Sequence, residues 1–170
     1  MTPEFSRIER LDTIGGEDRH VSIAADAGER AALAKRFGLV SVERLEAELD
    51  IRREAAGIAV RGRVTAAVVQ ACSITSDPLP ATVDEPVALR FVEAAGAGED
   101  EIELGSDALD TVEIEGGGID LGEAAAETMV LALDPFPRGP GAAAALQEAG
   151  VVSEEEAGPF GALKSLLEKK

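Results

Sequence analysis

Ile58-Ala-Val-Arg-Gly-Arg-Val-Thr-Ala-Ala-Val-Val-Gln-Ala-Cys72-Ser-Ile-Thr75 is followed by Ser76-Asp-Pro-Leu-Pro80 and by a second apolar run ending at Val92. Ile58, Val60, Val64, Ala66, Val68, Cys72 and Ile74 occupy even positions, whereas Arg61, Arg63, Thr65, Ser73 and Thr75 occupy odd ones. A period of two belongs to a strand with one buried face, and it puts Cys72 on the buried side. Ser76 to Pro80 has the residue types of a turn, and Val87, Leu89 and Phe91 resume the alternation. The stretch predicts a long antiparallel hairpin with arms over 58–75 and 86–92, with Gly62 and Pro86 as places for a bend or bulge.

Upstream, the residue types of Arg44 to Arg53 favour a helix, but their order does not. Leu45, Ala47, Leu49 and Ile51 alternate with Arg44, Glu46, Glu48, Asp50 and Arg52, and on a helix those four apolar residues would fall on opposed faces. A strand with a charged outer face is predicted, joined to the next through Ala55-Ala56-Gly57. Val21, Ile23 and Ala25 mark another short strand, and Phe5 to Ile14 a first strand or extended lead-in. Asp26 and Glu29 have the spacing of a capping box ahead of a helix over 27–37, which Gly38 ends.

Val112 and Ile114 predict a short strand ended by Gly116-Gly117-Gly118. Asp120 is placed to cap a helix over 121–133, stopped by Pro135. Residues 136–141 are too rich in Pro and Gly for a helix, and Ala142 to Ala149 suits one. Phe160, Leu163, Leu166 and Leu167 line one side of a terminal helix with Lys169 and Lys170 at its favourable end. The expectation is a single α+β domain over 1–170: an antiparallel sheet with a long hairpin, flanked by helices. A mobile acidic loop is expected over 94–106, and an extended C-terminal tail with its terminal helix over 134–170.

The chain has 170 residues, enough to bury a core without staples, yet it has no Trp or Tyr and only five Phe. Ala, Val and Leu must build most of that core. One cysteine excludes an internal disulfide, which fits a reducing compartment. The N-terminus lacks the apolar run of a signal peptide, and no stretch approaches the roughly 20 apolar residues of a membrane span. A soluble, cytoplasmic protein without a membrane partner is expected.

The net charge of −17 is unevenly spread. Residues 1–63 hold 11 basic and 12 acidic side chains, whereas residues 64–160 hold only Arg90 and Arg138 against 20 acids. Such a field repels nucleic-acid phosphate and favours a basic partner, although acidity also serves solubility.

The chain resembles the YceD-like family in several places. Gly62, Cys72, Thr75 and Pro78 are spaced like that family's central motif. Gly118-Ile-Asp-Leu-Gly-Glu-Ala-Ala-Ala-Glu-Thr-Met-Val-Leu-Ala-Leu-Asp-Pro-Phe-Pro-Arg138 is similar to its second block, with Asp120, Leu121 and Pro135 at the matching positions. Pro159-Phe-Gly-Ala-Leu-Lys164 resembles the closing sequence, and Pro3-Glu-Phe-Ser-Arg7 resembles the opening of alphaproteobacterial members. The resemblance implies a role in accumulation of large-subunit ribosomal RNA. Many members carry a second cysteine where this chain has Thr75, so a metal role for such a pair does not carry over.

Catalytic chemistry is sparse. His20 is the only histidine and has no cysteine or carboxylate cluster at ligand spacing. Cys72 is turned inward and lacks an electropositive neighbour in sequence, so it reads as structural. Asp84-Glu85 and Glu99-Asp100 have no EF-hand spacing, and Gly116 to Gly118 lack the Lys-Ser/Thr of a phosphate loop.

Two functions stand. The first is a non-enzymatic factor, without a cofactor, that supports ribosomal RNA accumulation and ribosome assembly. Its partner would be a basic ribosomal protein or assembly factor, met by Glu99, Asp100, Glu101 and Glu103. Arg52, Arg53, Arg61 and Arg63 are the one basic group available for RNA or partner contact, unless they balance Glu46, Glu48 and Glu54 across strands. The second is a metal-dependent hydrolase acting on RNA, which needs clustered Asp or Glu.

Overall fold

Alternation prevails over propensity in the computed structural model, which describes residues 3–93, 109–114 and 116–152. In chain order the strands are β1 (Ile8–Arg10), β2 (Arg19–Ala24), β3 (Ser41–Glu54), β4 (Gly57–Ala71), β5 (Pro78–Glu93), β6 (Asp110–Ile114) and β7 (Gly118–Asp120). The helices are α1 (Ala27–Phe37), α2 (Leu121–Ala132) and α3 (Ala142–Glu148), with a 3-10 turn at Leu11–Thr13. Five strands form one sheet in the order β2-β3-β4-β5-β6, and β1 pairs with β7 in a separate ribbon. The α+β architecture follows.

Residues 1–70 with 80–134 form one compact unit, and residues 71–79 with 135–170 form another. In the first, Leu45, Leu49 and Ile51 of β3 and Ile58, Val60 and Val64 of β4 are buried on one face. Leu33 of α1, Leu121 and Met129 of α2, Ile119 and Phe5 complete the core. Apolar burial of this kind contributes roughly 25 cal/mol per Å², so the aliphatic face of β3 and β4 dominates stability. Asp26 accepts from the Glu29 N–H at 2.9 Å while the Glu29 carboxylate accepts from the Asp26 N–H at 2.8 Å. That reciprocal box starts α1, and Gly38 at φ 65° ends it in the left-handed conformation glycine favours.

The hairpin is shorter on one arm and longer on the other than the sequence predicts. β4 ends at Ala71 rather than Thr75, because Cys72 N–H donates to the Asp77 carbonyl (2.8 Å) and Ser76 N–H to the Cys72 carbonyl (2.9 Å). β5 starts at Pro78 rather than at 86, despite three prolines. Only Leu89–Glu93 of β5 pair with β6, so the earlier half has no β6 partner and the missing N–H groups of Pro78, Pro80 and Pro86 cost little there. β3 and β4 keep an unbroken register through Gly62, and their irregularity falls at Val42 and Arg44 instead.

Two further differences concern pairing. β6 runs parallel to β5, which makes the sheet mixed rather than wholly antiparallel. Gly118–Asp120, which reads as the end of a strand and a helix cap, also forms β7, with Ile8 opposite Asp120. In the second unit, Ser73 N–H donates to the Pro137 carbonyl at 2.7 Å, and α3 buries Ala142. The acidic loop expected over 94–106 and the terminal helix with Phe160, Leu163, Leu166 and Leu167 lie outside the described residues.

Candidate functional site

The arginines of the β3–β4 hairpin are divided by its pleat. Register places Arg52 opposite Ala59, Asp50 opposite Arg61 and Glu48 opposite Arg63, so Arg52, Arg61 and Arg63 share a face. Arg53 lies opposite Ile58 on the other, where its guanidinium donates to the carbonyls of Ile14 (3.1 Å) and Leu11. The three on the common face are each paired. Arg63 meets Asp84 at 2.5 Å, while Arg52 and Arg61 meet Glu54 at 2.6 and 3.2 Å.

Glu54 is the centre of this arrangement, and Arg90 of β5 joins it from a third strand at 3.6 Å. The hydrogen bond from Arg52 first, and then that from Arg61, hold the Glu54 carboxyl below its ordinary range. Glu54 is one of the acids expected to balance the hairpin arginines, whereas its tie to Arg90, 36 positions on, has no signal in the sequence. Asp18 supports Arg52 at 3.7 Å.

Cys72 is 2% exposed, as its parity requires, but its surroundings are not inert. Backbone N–H groups of Gly139 (3.4 Å) and Thr75 (3.5 Å) donate to its Sγ. The Gly139 N–H is the largest cause, with Thr75 and Ile74 adding to it, and together they lower the thiol to about 6. The expected lack of an electropositive neighbour is thus corrected by backbone dipoles. Thr75 also donates its hydroxyl to Asp77 at 2.6 Å, fixing the turn that precedes Pro78.

Asp120 caps α2 by accepting from Gly122 N–H (3.0 Å) and Glu123 N–H (3.2 Å), and it also receives Arg7 N–H (2.8 Å) and the Ser6 hydroxyl (2.5 Å). Leu121 is fully buried beside it. At the far end, α2 stops at Ala132 and Leu133 is extended, as the residues ahead of Pro135 require. The Asp120, Leu121 and Pro135 block is therefore the scaffold of one helix.

His20 on β2 has carboxylates that its sequence neighbours conceal. Asp50 stands 2.9 Å from Nδ1 and Glu48 2.8 Å from Nε2, both delivered by β3. The Asp50 hydrogen bond is the first cause of a raised imidazole pKa and that of Glu48 the second. Among the described residues no group of three or more His, Cys, Asp and Glu side chains is arranged to hold a metal. Glu99, Asp100, Glu101 and Glu103 lie outside the described residues. No helix of the described residues is long and apolar enough to cross a membrane.

These features define an acidic α+β protein in which Arg52, Arg61 and Arg63 of the hairpin are engaged in internal ion pairs. A family model described as large ribosomal RNA subunit accumulation protein YceD matches residues 60–167, and the chain belongs to that family. The match opens within β4 and takes in Cys72, Thr75, Pro78, Asp120, Leu121 and Pro135. No curated protein and no solved structure matches the chain.

Proposed function

We propose that the protein is a non-enzymatic cytoplasmic factor that supports large-subunit ribosomal RNA accumulation and ribosome assembly by binding a basic ribosomal protein or assembly factor. The family's involvement in large ribosomal RNA accumulation supplies the process. Charge segregation is the observation that most supports the mode: residues 64–160 carry two arginines against 20 acids, and Arg90 is already on Glu54. Nucleic-acid affinity depends on cations free to displace counterions, and Arg52, Arg61 and Arg63 are paired with Glu54 and Asp84 while Arg53 turns to backbone carbonyls on the other face. A basic protein surface gains from the same field and associates faster in it.

The test compares binding of the purified protein to naked large-subunit ribosomal RNA and to the basic protein fraction of the large subunit at physiological salt. Salt-sensitive binding to the protein fraction, with weak binding to RNA, is expected. Tight binding to naked RNA that disappears when Arg52, Arg61 and Arg63 are replaced would move the function to the hairpin.

A further inference from the structure

A groove of about 1620 Å³ is lined by residues of β5 and β6, of α2 and of the β1–β7 ribbon. Small-molecule sites typically enclose roughly 300–1,000 Å³, so this one has the size for a stretch of polypeptide. Its lining combines two chemistries. Ile8 and Leu131 are 66% and 84% exposed, and half-buried Val112 and Ile114 of β6 add to the apolar surface. Glu123, Glu127 and Leu131 recur every fourth residue along α2, so one helix stripe supplies both acids and an apolar side chain.

Glu85, Asp110, Glu113 and Glu127 line the groove and form no ion pair among the described residues. The cations there are already taken. Arg10 is held by Asp12 at 2.6 Å, and Arg36 by Glu123 at 2.6 Å and Glu4 at 2.9 Å. Among the described residues the groove therefore presents an excess of negative charge around exposed aliphatic side chains. A phosphate backbone or an anionic lipid surface meets repulsion in it, and a purely hydrophilic cation leaves Ile8 and Leu131 in water.

We infer that this groove docks a segment of a partner protein in which Lys or Arg side chains flank aliphatic anchors, an inference that rests on the basic-partner reading above. The acids set orientation and association rate, and the aliphatic contacts slow release. Apolar anchoring separates this site from diffuse attraction by an acidic surface, since it survives when salt screens the charges.

The test uses the full chain and the basic protein fraction of large ribosomal subunits, followed by synthetic peptides covering its Lys- and Arg-rich segments. Three double variants are compared, each checked for folding by circular dichroism. Glu113→Lys with Glu127→Lys should weaken binding about tenfold or more at low salt, and Ile8→Ser with Leu131→Ser should weaken it several-fold even at high salt. Glu17→Lys with Glu43→Lys, which changes the same net charge outside the groove, should stay within about twofold. Equal losses in the two charge variants, or no loss with the serine pair, would overturn the groove while leaving a basic partner in place. Failure of the unaltered protein to bind any of the basic fraction overturns both, and preferential capture of naked RNA does the same.

Discussion

The Cα of Gly62 lies against the Glu48 carbonyl, so closely that a Cβ at position 62 would run into that oxygen and into the Leu49 backbone. Backbone atoms on a paired central strand cannot swing aside as the end of a side chain can. Gly62→Ala should therefore destabilise the fold by about 2 kcal/mol or more, read as a lower urea midpoint. Gly15→Ala, with nothing within 4 Å of the added methyl, should stay within about 0.5 kcal/mol. Equal effects at the two positions would contradict the close approach.

Asp120 ties two chain segments together, capping the start of α2 while it accepts from the Arg7 N–H and the Ser6 hydroxyl. Asp120→Ala should cost about 2–3 kcal/mol, more than a cap alone, because the Arg7 and helix N–H groups lose their acceptor together. Asp120→Asn should recover part of this in the same denaturation experiment. A loss equal to that of an ordinary surface substitution would show that the tie contributes nothing.

Cys72 gives the stability a pH dependence. Its folded value of about 6 lies below the ordinary thiol value of 9.0, chiefly through the Gly139 N–H. The thiolate's contribution is thus full above about 9, and it is lost as pH falls through about 6. The stability gap between the unaltered protein and Cys72→Ala should widen from pH 5.5 to pH 8.5. A gap that stays constant across that range would mean that Sγ acts by packing alone.

His20 has the opposite sign. Its pKa is raised by the Asp50 and then the Glu48 carboxylate, so its contribution is full below the ordinary value of 6.5 and is lost as pH rises through the folded value. As the sole histidine, it gives one set of imidazole signals to follow by NMR. Glu48→Gln should lower the midpoint, and Asp50→Asn should lower it further. An unchanged midpoint in both variants would rule out the two ring contacts in solution.

Glu54→Gln tests whether the hairpin arginines are restrained. Removing the charge that holds Arg52, Arg61 and Arg90 should raise affinity for naked RNA several-fold and steepen its salt dependence. Unchanged RNA binding would show that freeing these side chains does not create a phosphate site.

Side-chain parity made most of the sheet legible before any coordinates: Leu45, Leu49, Ile51, Val60 and Val64 all face inward as their positions require. Helix α1 was equally plain, because its box and its glycine are local signals. The undetected parts depend on partners far along the chain. A three-residue strand such as β7 carries too little pattern to show by itself, and β5 could begin among prolines only because its first half lacks a β6 neighbour. The same holds for the sites. Arg52, Arg61 and Glu54 as a balancing acid are visible, but Arg90 on Glu54, the carboxylates on His20 and the Gly139 N–H on Cys72 all arise from register or from returning chain.

The β1–β7 ribbon also governs when the protein can finish folding during synthesis. Arg7 N–H must wait for an Asp120 carboxylate 113 positions later, and buried Phe5 waits for the same closure. The β2–β3–β4 meander needs only neighbouring chain and can assemble while translation continues. Arg7 can meet Glu29, and Glu4 can meet Arg36, as soon as α1 has emerged, but Ile8–Arg10 lack their strand partner until Gly118–Asp120 follows, leaving the apolar Phe5 open to chaperones throughout that interval.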